Sequence, residues 1–510
     1  MGSAVTPVLA TVSPAGPAPQ AAAPAPVPAQ PQDSGYFFIL GRHLENDGRI
    51  EEAISAHRKA IELSPDSAEL RAELAGLYAR QDRAREALEA AEAALERDAG
   101  NREANRVLGT IYAALTEQRK PFRSGDDPAQ YPVRAIAALE KARRDGSIDV
   151  RLDLMLGRLY LQRSDFEKAI PSLRRVVDDQ PGYPEAAMLL VAAQEGASLF
   201  EEALRTLETS LAENPDFFRG HIRLAELYDQ LHQYAAAADA YARAQTANPR
   251  ADLSSRRAAA LINSGRPAEA RDLLQTVLKR AAGAPEPGSL YLLAQAQRQL
   301  KDFTGAMETA QRLKAASTDD PRGLYLEAQL LQDNGRTADA IAAFQALMKR
   351  KPDDASVVYE YANLLEKSGR VEDAQSALRA QVARDPLDAN ALNSLAYMLA
   401  ERGGSLTEAV DLVQRALKIE PANPSFLDSL GWAFFKQGRI DLADAPLSQA
   451  AEKLPASAAV QDHLGDLRYA QQRWADAAAA FERALAGDVE AADRRKIEDK
   501  LRVARDRLKK

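Results

Sequence analysis

The chain has 510 residues, 46% hydrophobic and 27% charged, which is enough for several ordinary domains or for one long array. Sixty-six basic against 74 acidic residues leave a formal charge of -8, so neither a nucleic-acid footprint nor a general attraction to anionic membranes is expected. The lack of cysteine excludes disulfides, thiolate metal sites and cysteine nucleophiles together, and no apolar run approaches the roughly 18 residues of a membrane span.

Residues 1–33 are Pro and Ala with a few Ser and Gln, as in PAPQAAAPAPVPAQPQ. Such a segment buries too little apolar surface to offset ordering entropy, and an extended disordered linker is expected. It reads either as a plain tail or as the stalk left where a native leader before Ala4 was removed and replaced by MetGlySer.

From residue 34 a phrase recurs. GRIEEAISAHRKAIELSP at 48–65 returns as GRTADAIAAFQALMKRKP at 335–352, GRVEDAQSALRAQVARDP at 369–386 and GRIDLADAPLSQAAEKLP at 438–455. Aligned on one alanine it gives Ala53, Ala87, Ala135, Ala169, Ala203, Ala237, Ala270, Ala306, Ala340, Ala374, Ala409, Ala443 and Ala477, mostly 34 residues apart. About twelve residues before each, or 26 before Ala135 in the third repeat because of an insertion, stands a second small position, Gly or Ala in all repeats except the fifth, which has Val191. In the twelfth repeat Leu427, Leu430, Gly431 and Phe434 share one helical face, and Ala443, Leu447 and Ala450 share another after Gly438. Each repeat is therefore a helix pair. Small residues let the two backbones cross closely, Gly accepts the left-handed turn between them, and Pro65, Pro181, Pro215, Pro249, Pro352, Pro386, Pro421 and Pro455 end the second helix.

Three places depart from the period. The third repeat carries about 14 extra residues, so a projecting insertion loop is expected at 115–133. AAGAPEPG at 281–288 reads as a softer joint, and 492–510 as a capping helix with a basic outer face that hides the last apolar surface through Ile497, Leu501, Val503 and Leu508.

A 34-residue helix-turn-helix with small residues at its eighth and twentieth positions and Pro near the thirty-second resembles the tetratricopeptide repeat. The resemblance covers 34–491 in thirteen repeats, starting near 34, 68, 102, 150, 184, 218, 251, 287, 321, 355, 389, 424 and 458. It implies an all-α fold, a right-handed α-solenoid superhelix with a C-terminal capping helix, and a concave recognition groove lined by positions 2, 5, 9, 12 and 13 of each first helix.

No catalytic constellation stands out. His43, His57, His221, His232 and His463 are too far apart for a ligand pair, His57 and His221 fall on packing positions, and no phosphate-cradling loop or nucleophile elbow occurs. Neither a cofactor nor a metal is expected. The groove positions carry a pattern instead: position 5 gives Tyr291, Tyr325 and Tyr359 in succession, position 9 gives Tyr397 and Trp432, and position 12 gives Phe435 and Tyr469. Asn363, Asn390 and Asn393 lie among them. Amides can bond the backbone of an extended peptide and aromatic rings add apolar contact, so these ten residues are the expected peptide-binding set, with inter-repeat packing as the competing role of the tyrosines. The charged clamp for chaperone tails is absent, since only Arg219 and Arg223 fit its last element.

The segment ALNSLAYMLAERGGSLTEAVDLVQRALKIEPANPSFLDSLGWAFFKQGR resembles the carboxy-terminal repeats of bacterial envelope tetratricopeptide proteins, among them lipoproteins that act as adaptors for carboxyl-terminal processing proteases. Asn393, Tyr397, Asp428, Ser429, Gly431 and Trp432 match, and Ala396 replaces the usual Gly. The implied function is a non-enzymatic scaffold that binds other proteins or peptides in the groove, periplasmic or associated with the outer membrane. The alternatives are an assembly factor for secretion, pili or polysaccharide export, and a cytoplasmic regulatory module. This chain has no lipid-bearing Cys, so membrane attachment would need a native anchor outside it; no nucleic-acid partner is expected, and the sequence sets no oligomeric state.

Overall fold

The computed structural model describes residues 33–143, 147–280, 285–351, 353–402, 404–488 and 491–509. The linker expected at 1–33 lies outside them except for Asp33, as do residues 281–284 of the expected joint. Among the described residues the regular structure is 27 α-helices and one 3-10 turn, with no strand.

The chain divides into two compact blocks, residues 1–224 and 225–510. The first holds α1 (Ser34–Asn46), α2 (Ile50–Leu63), α3 (Ala68–Arg80), α4 (Ala84–Leu95), α5 (Arg102–Gln118), α6 (Tyr131–Ala142), α7 (Val150–Gln162), α8 (Phe166–Asp179), α9 (Pro184–Gly196) and α10 (Phe200–Glu213). The division falls within α11 (Phe218–Gln230). The second holds α12 (Tyr234–Ala247), α13 (Ser254–Asn263), α14 (Pro267–Arg280), α15 (Pro287–Gln299), α16 (Phe303–Ala316), α17 (Pro321–Asp333), α18 (Thr337–Arg350) and α19 (Ala355–Lys367). It continues with α20 (Val371–Arg384), α21 (Ala389–Arg402), α22 (Leu406–Ile419), α23 (Pro424–Lys436), α24 (Ile440–Lys453), α25 (Ala458–Ala470), α26 (Trp474–Ala486) and α27 (Ala491–Leu508). Each block is a stack of helix pairs, an α-solenoid architecture in which every pair covers the apolar face of its neighbours.

The close crossing within a pair is visible at its glycines. A methyl group on Gly157 would come within 2.3 Å of Leu173, on Gly431 within 2.5 Å of Leu447, and on Gly465 within 2.3 Å of Phe481. In these pairs the opposing residue lies sixteen further on; in the third repeat Gly109 meets Leu139, thirty further on, which is the fourteen-residue insertion read in space. The turn between the helices takes positive φ at Gly48, Gly265, Gly335, Gly369 and Gly438, and equally at Asp82, Ser164, Ser198, His232, Lys301 and Gln472. The left-handed turn thus belongs to the packing of the pair, and glycine only lowers its cost.

The insertion does not project. Residues 115–118 prolong α5, Arg119 ends that helix with a φ of 52°, and Pro128–Gln130 form the 3-10 turn leading into α6. Tyr131 is fully buried and its hydroxyl accepts from the Phe122 amide (2.8 Å) and donates to Asp126 (3.0 Å), while Arg123 pairs with Glu92 of α4 at 2.9 Å. One buried tyrosine and one ion pair fold the loop back on the preceding repeat. At the other end Ile497, Leu501 and Ala504 of α27 bury against Ala477, Phe481 and Ala484 of α26, whereas Val503 and Leu508 stay exposed.

Candidate functional site

The first helices of the last four repeats, α19, α21, α23 and α25, carry most of the expected groove residues. Their starts are set by polar side chains: Asp354 accepts from the Ser356 amide (3.1 Å), Asp388 from Ala391 (2.9 Å), Asn423 from Ser425 (3.0 Å) and Asp488 from Ala458 (2.7 Å). Leu392, Leu395 and Leu399 anchor α21 in the core, which turns Asn393 and Tyr397 toward its other face.

Two cavities open on that face. One of about 310 Å³ is lined by Tyr359, Asn363, Asn393 and Tyr397 together with Glu366, Asp428 and the serines Ser394, Ser425 and Ser457. The other, of about 630 Å³, is lined by Tyr397, Trp432, Glu401, His463, Asp462, Asp466 and, from the capping helix, Lys500. The structure therefore brings together five of the ten expected residues: Tyr359, Asn363, Asn393, Tyr397 and Trp432. Asn363 is exposed, and the Oδ1 atom of Asn393 is buried without a hydrogen-bond partner among the described residues.

Tyr291, Tyr325, Asn390, Phe435 and Tyr469 line neither cavity. The three successive tyrosines are half-buried and lean on the following repeat. The Arg322 guanidinium lies 5.5 Å over the Tyr291 ring, whose hydroxyl accepts from Gln295 at 2.8 Å. The Tyr325 hydroxyl donates to Glu360, and that of Tyr359 to Asp388, which also accepts from Gln381 at 2.7 Å. Burial, and then the bonded carboxylate, push both phenols well above the usual tyrosine range. Their hydroxyls are engaged in holding neighbouring repeats; ring faces are what remains for a partner. Asn390 is exposed near the start of α21, and Tyr469 meets Trp474 edge-on at 4.8 Å.

Trp432 differs from the expected open groove ring. Only 6% exposed, it is sandwiched between Phe435 (5.0 Å, 12°) and His463 (3.9 Å, 14°), and its indole N–H donates to Glu401. It forms the wall of the site, because His463 arrives beneath it from α25.

His463 is the residue that sequence reasoning missed. It is buried, and its Nδ1 lies 3.0 Å from Asp428, itself buried. Burial alone would weaken its proton affinity; the charge and hydrogen bond of Asp428, with Asp462 and Glu401 farther off, outweigh that and raise its pKa. Beside it Lys500 donates to Asp462 and Asp466, both at 2.7 Å. The signal for these contacts was the period: residues on first helices about 34 apart are neighbours, and 428 with 463, or 466 with 500, satisfy it. The arrangement offers acceptors, aromatic walls and a buried ion pair, and among the described residues no cluster of three or more His, Asp or Glu residues is arranged to hold a metal.

A family model described as tetratricopeptide repeat matches residues 134–184, 188–252, 325–374, 362–424 and 429–493, and a second with the same description matches 46–115 and 261–330. A stretch of 74 residues is 39% identical to the TPR repeat-containing protein PA4667 of Pseudomonas aeruginosa, covering 14% of this chain and 12% of that protein. Among solved structures, yeast Tom70 is similar over 93% of this chain and 96% of its own at 13% identity, with a TM-score of 0.41. A tetratricopeptide repeat protein from Parabacteroides merdae is similar over 50% of this chain and 98% of its own at 16% identity, also with a TM-score of 0.41.

Proposed function

The chain belongs to the tetratricopeptide repeat family, and from that premise we propose that it is a non-enzymatic scaffold whose groove over repeats ten to thirteen holds an extended segment of a partner protein. Protein binding is the general role of such repeats. The observation that carries the finer reading is the cavity of about 310 Å³, which exposed Asn363 and Asn393, whose Oδ1 has no hydrogen-bond partner among the described residues, line together with Tyr359 and Tyr397. An extended backbone carries the N–H donors that such amides bond, and flat rings add contact at small entropic cost.

A photo-crosslinking amino acid at Asn363, compared with one at exposed Glu372 on α20, tests this in the native organism. Adducts with defined segments of a partner are expected from the groove position alone; equal adducts from both positions would refute it.

The envelope setting and the protease-adaptor role rest on the Pro/Ala-rich residues 1–33 and on the match of Asn393, Tyr397, Asp428, Ser429, Gly431 and Trp432 to envelope proteins of this family. Reading the native codons upstream of Ala4 separates them from the cytoplasmic alternative: a leader with a lipid-acceptor Cys favours the envelope, an immediate start Met the cytoplasm.

A further inference from the structure

The cavity of about 310 Å³ has a charge character of its own. The charged residues that line it are Glu366 and Asp428, and no Lys or Arg is among its lining residues. Glu366 is answered from outside by Arg402 at 2.9 Å. Among the described residues Asp428 is answered only by His463, which lines the neighbouring cavity, so the ion pair stands between the two spaces. The remaining polar groups include the hydroxyls of Ser394, Ser425 and Ser457 and the buried Asn393 Oδ1, an acceptor awaiting a donor. Tyr359 and Tyr397 contribute aromatic faces, against which a cation is favoured. The volume is at the low end of those that take a ligand group.

We infer that this cavity is a subsite for the ammonium or guanidinium group of a lysine or arginine in the bound segment, with Asp428 as its counter-charge and Asn393 as a neutral acceptor. The inference rests on the groove reading above and names the chemistry of its partner. Donors without acceptors match a cavity of acceptors, whereas an acidic side chain would meet Asp428 in a low-dielectric setting and be repelled. A neutral apolar side chain would leave Asn393 unpaired.

A linkage follows. Asp428 has one proton-bearing neighbour, and a cation entering from the other side competes with it. Binding of lysine or arginine therefore releases the proton of His463, and rising pH, by neutralising His463, frees Asp428 and strengthens binding. The other charged groups facing His463 are Glu401 on α21, Asp462 and Asp466 on its own helix, and Lys500 on α27, which holds the last two. Burial would lower the Lys500 pKa, but Asp466 and Asp462 outweigh it and keep the ammonium charged, while burial raises the pKa of Asp466, which is bonded to Lys500 rather than to His463; the titrating group in contact with Asp428 is His463.

The test uses the full chain. Peptides are selected on it from a random display library, and the tightest is resynthesised with each Lys or Arg replaced by norleucine. Binding is then measured by fluorescence anisotropy on the unmodified protein, on Asp428→Asn, and on Asn363→Trp, which fills the mouth of the groove. Selected peptides should carry Lys or Arg, and one norleucine replacement should weaken binding at least about tenfold on the unmodified protein but less than about twofold on Asp428→Asn. From about pH 5.5 to about pH 8 the basic peptide should tighten and its norleucine counterpart should not. This pH arm decides the matter if Asp428→Asn fails to fold. Tight peptides without a basic residue, or a norleucine penalty that survives in Asp428→Asn, overturn the subsite while leaving the groove intact. Peptides that bind Asn363→Trp undiminished, or no selection at all, overturn the groove reading and the subsite with it.

Discussion

His57 in the first block and His463 in the second are both buried, at 1% and 6% exposure, and the two imidazoles are held in opposite ways. His57 fills the crossing of α1 and α2: its ring is where a side chain on Gly41 would stand, it meets Phe38 edge-on at 5.8 Å, and its Nδ1 has no partner among the described residues. Burial dominates and lowers its pKa, with the charges of Glu73 and Glu45 opposing. His463 stacks on Trp432, and Asp428 raises its pKa in spite of burial. Depth of burial does not set the two histidines apart. Position in the repeat does: His57 occupies the second-helix place that Leu173 and Leu447 fill elsewhere, whereas His463 lies on a first helix beside the groove residues.

The sharpest way to break this comparison is to make the same change at both places. His463→Leu leaves the buried Asp428 carboxylate without its cation and should cost about 3 to 5 kcal/mol in chemical denaturation. His57→Leu is close to volume-conserving and removes an unpaired buried nitrogen, so its cost should stay below about 1.5 kcal/mol. Equal losses would mean that both histidines are packing residues and that the ion pair is incidental.

Much of this architecture was legible because one period repeats it. Small residues at two fixed places, with Val191 the one exception, located the crossings, and the structure puts Gly157 on Leu173 and Gly431 on Leu447 at the same sixteen-residue spacing. Of the aromatic and amide residues read on one face, Tyr359, Asn363, Asn393, Tyr397 and Trp432 line the two cavities. What stayed hidden were contacts between repeats: Tyr325 with Glu360, Tyr359 with Asp388, and His463 with Asp428 join residues 29 to 35 apart in sequence, and each depends on how far one helix pair is rotated on the next. For the same reason Trp432 read as an open ring, since its cover comes from α25. The insertion read as a projecting loop because nothing in its composition says that Tyr131 will be buried.

The pH dependence of stability sharpens the contrast next. His57 has a folded pKa below its unfolded value of about 6.5, so its neutral form supports the fold above that pH and the support is lost as pH falls below it. For His463 the folded value is raised: its contribution is complete below about pH 6.5 and is lost as pH rises through the folded pKa. His57→Leu should therefore flatten the limb of a melting-temperature profile below about pH 6.5, and His463→Gln the limb above it. A profile unchanged by either variant would deny both assignments.

Smaller effects are expected along the tyrosine ladder. Tyr325→Phe and Tyr359→Phe each remove a hydroxyl bonded to a carboxylate of the next repeat, and because these groups are half-buried the loss should be about 1 kcal/mol each. Tyr291→Phe, whose hydroxyl accepts from Gln295 within α15, should cost less. Should all three prove silent, the bonds between repeats would be surface contacts, and the rings would return to the partner as their main role.

The smallest change in stability should come from Asn363→Ala. The side chain is exposed, its helix is capped elsewhere by Asp354, and a surface substitution of this kind usually falls within about 0.5 kcal/mol. Yet the residue lines the cavity in which Asn393 Oδ1 has no hydrogen-bond partner among the described residues. A partner segment that runs through the groove would lose a backbone hydrogen bond there, about 0.5 to 1.5 kcal/mol, or a roughly two- to tenfold weaker complex. Unfolding and peptide binding measured on the same preparation separate the two quantities. Normal unfolding with weakened binding places recognition on this face; normal unfolding with binding intact moves the partner to another face, and the comparison between His57 and His463 would then concern the stability of two crossings and nothing more.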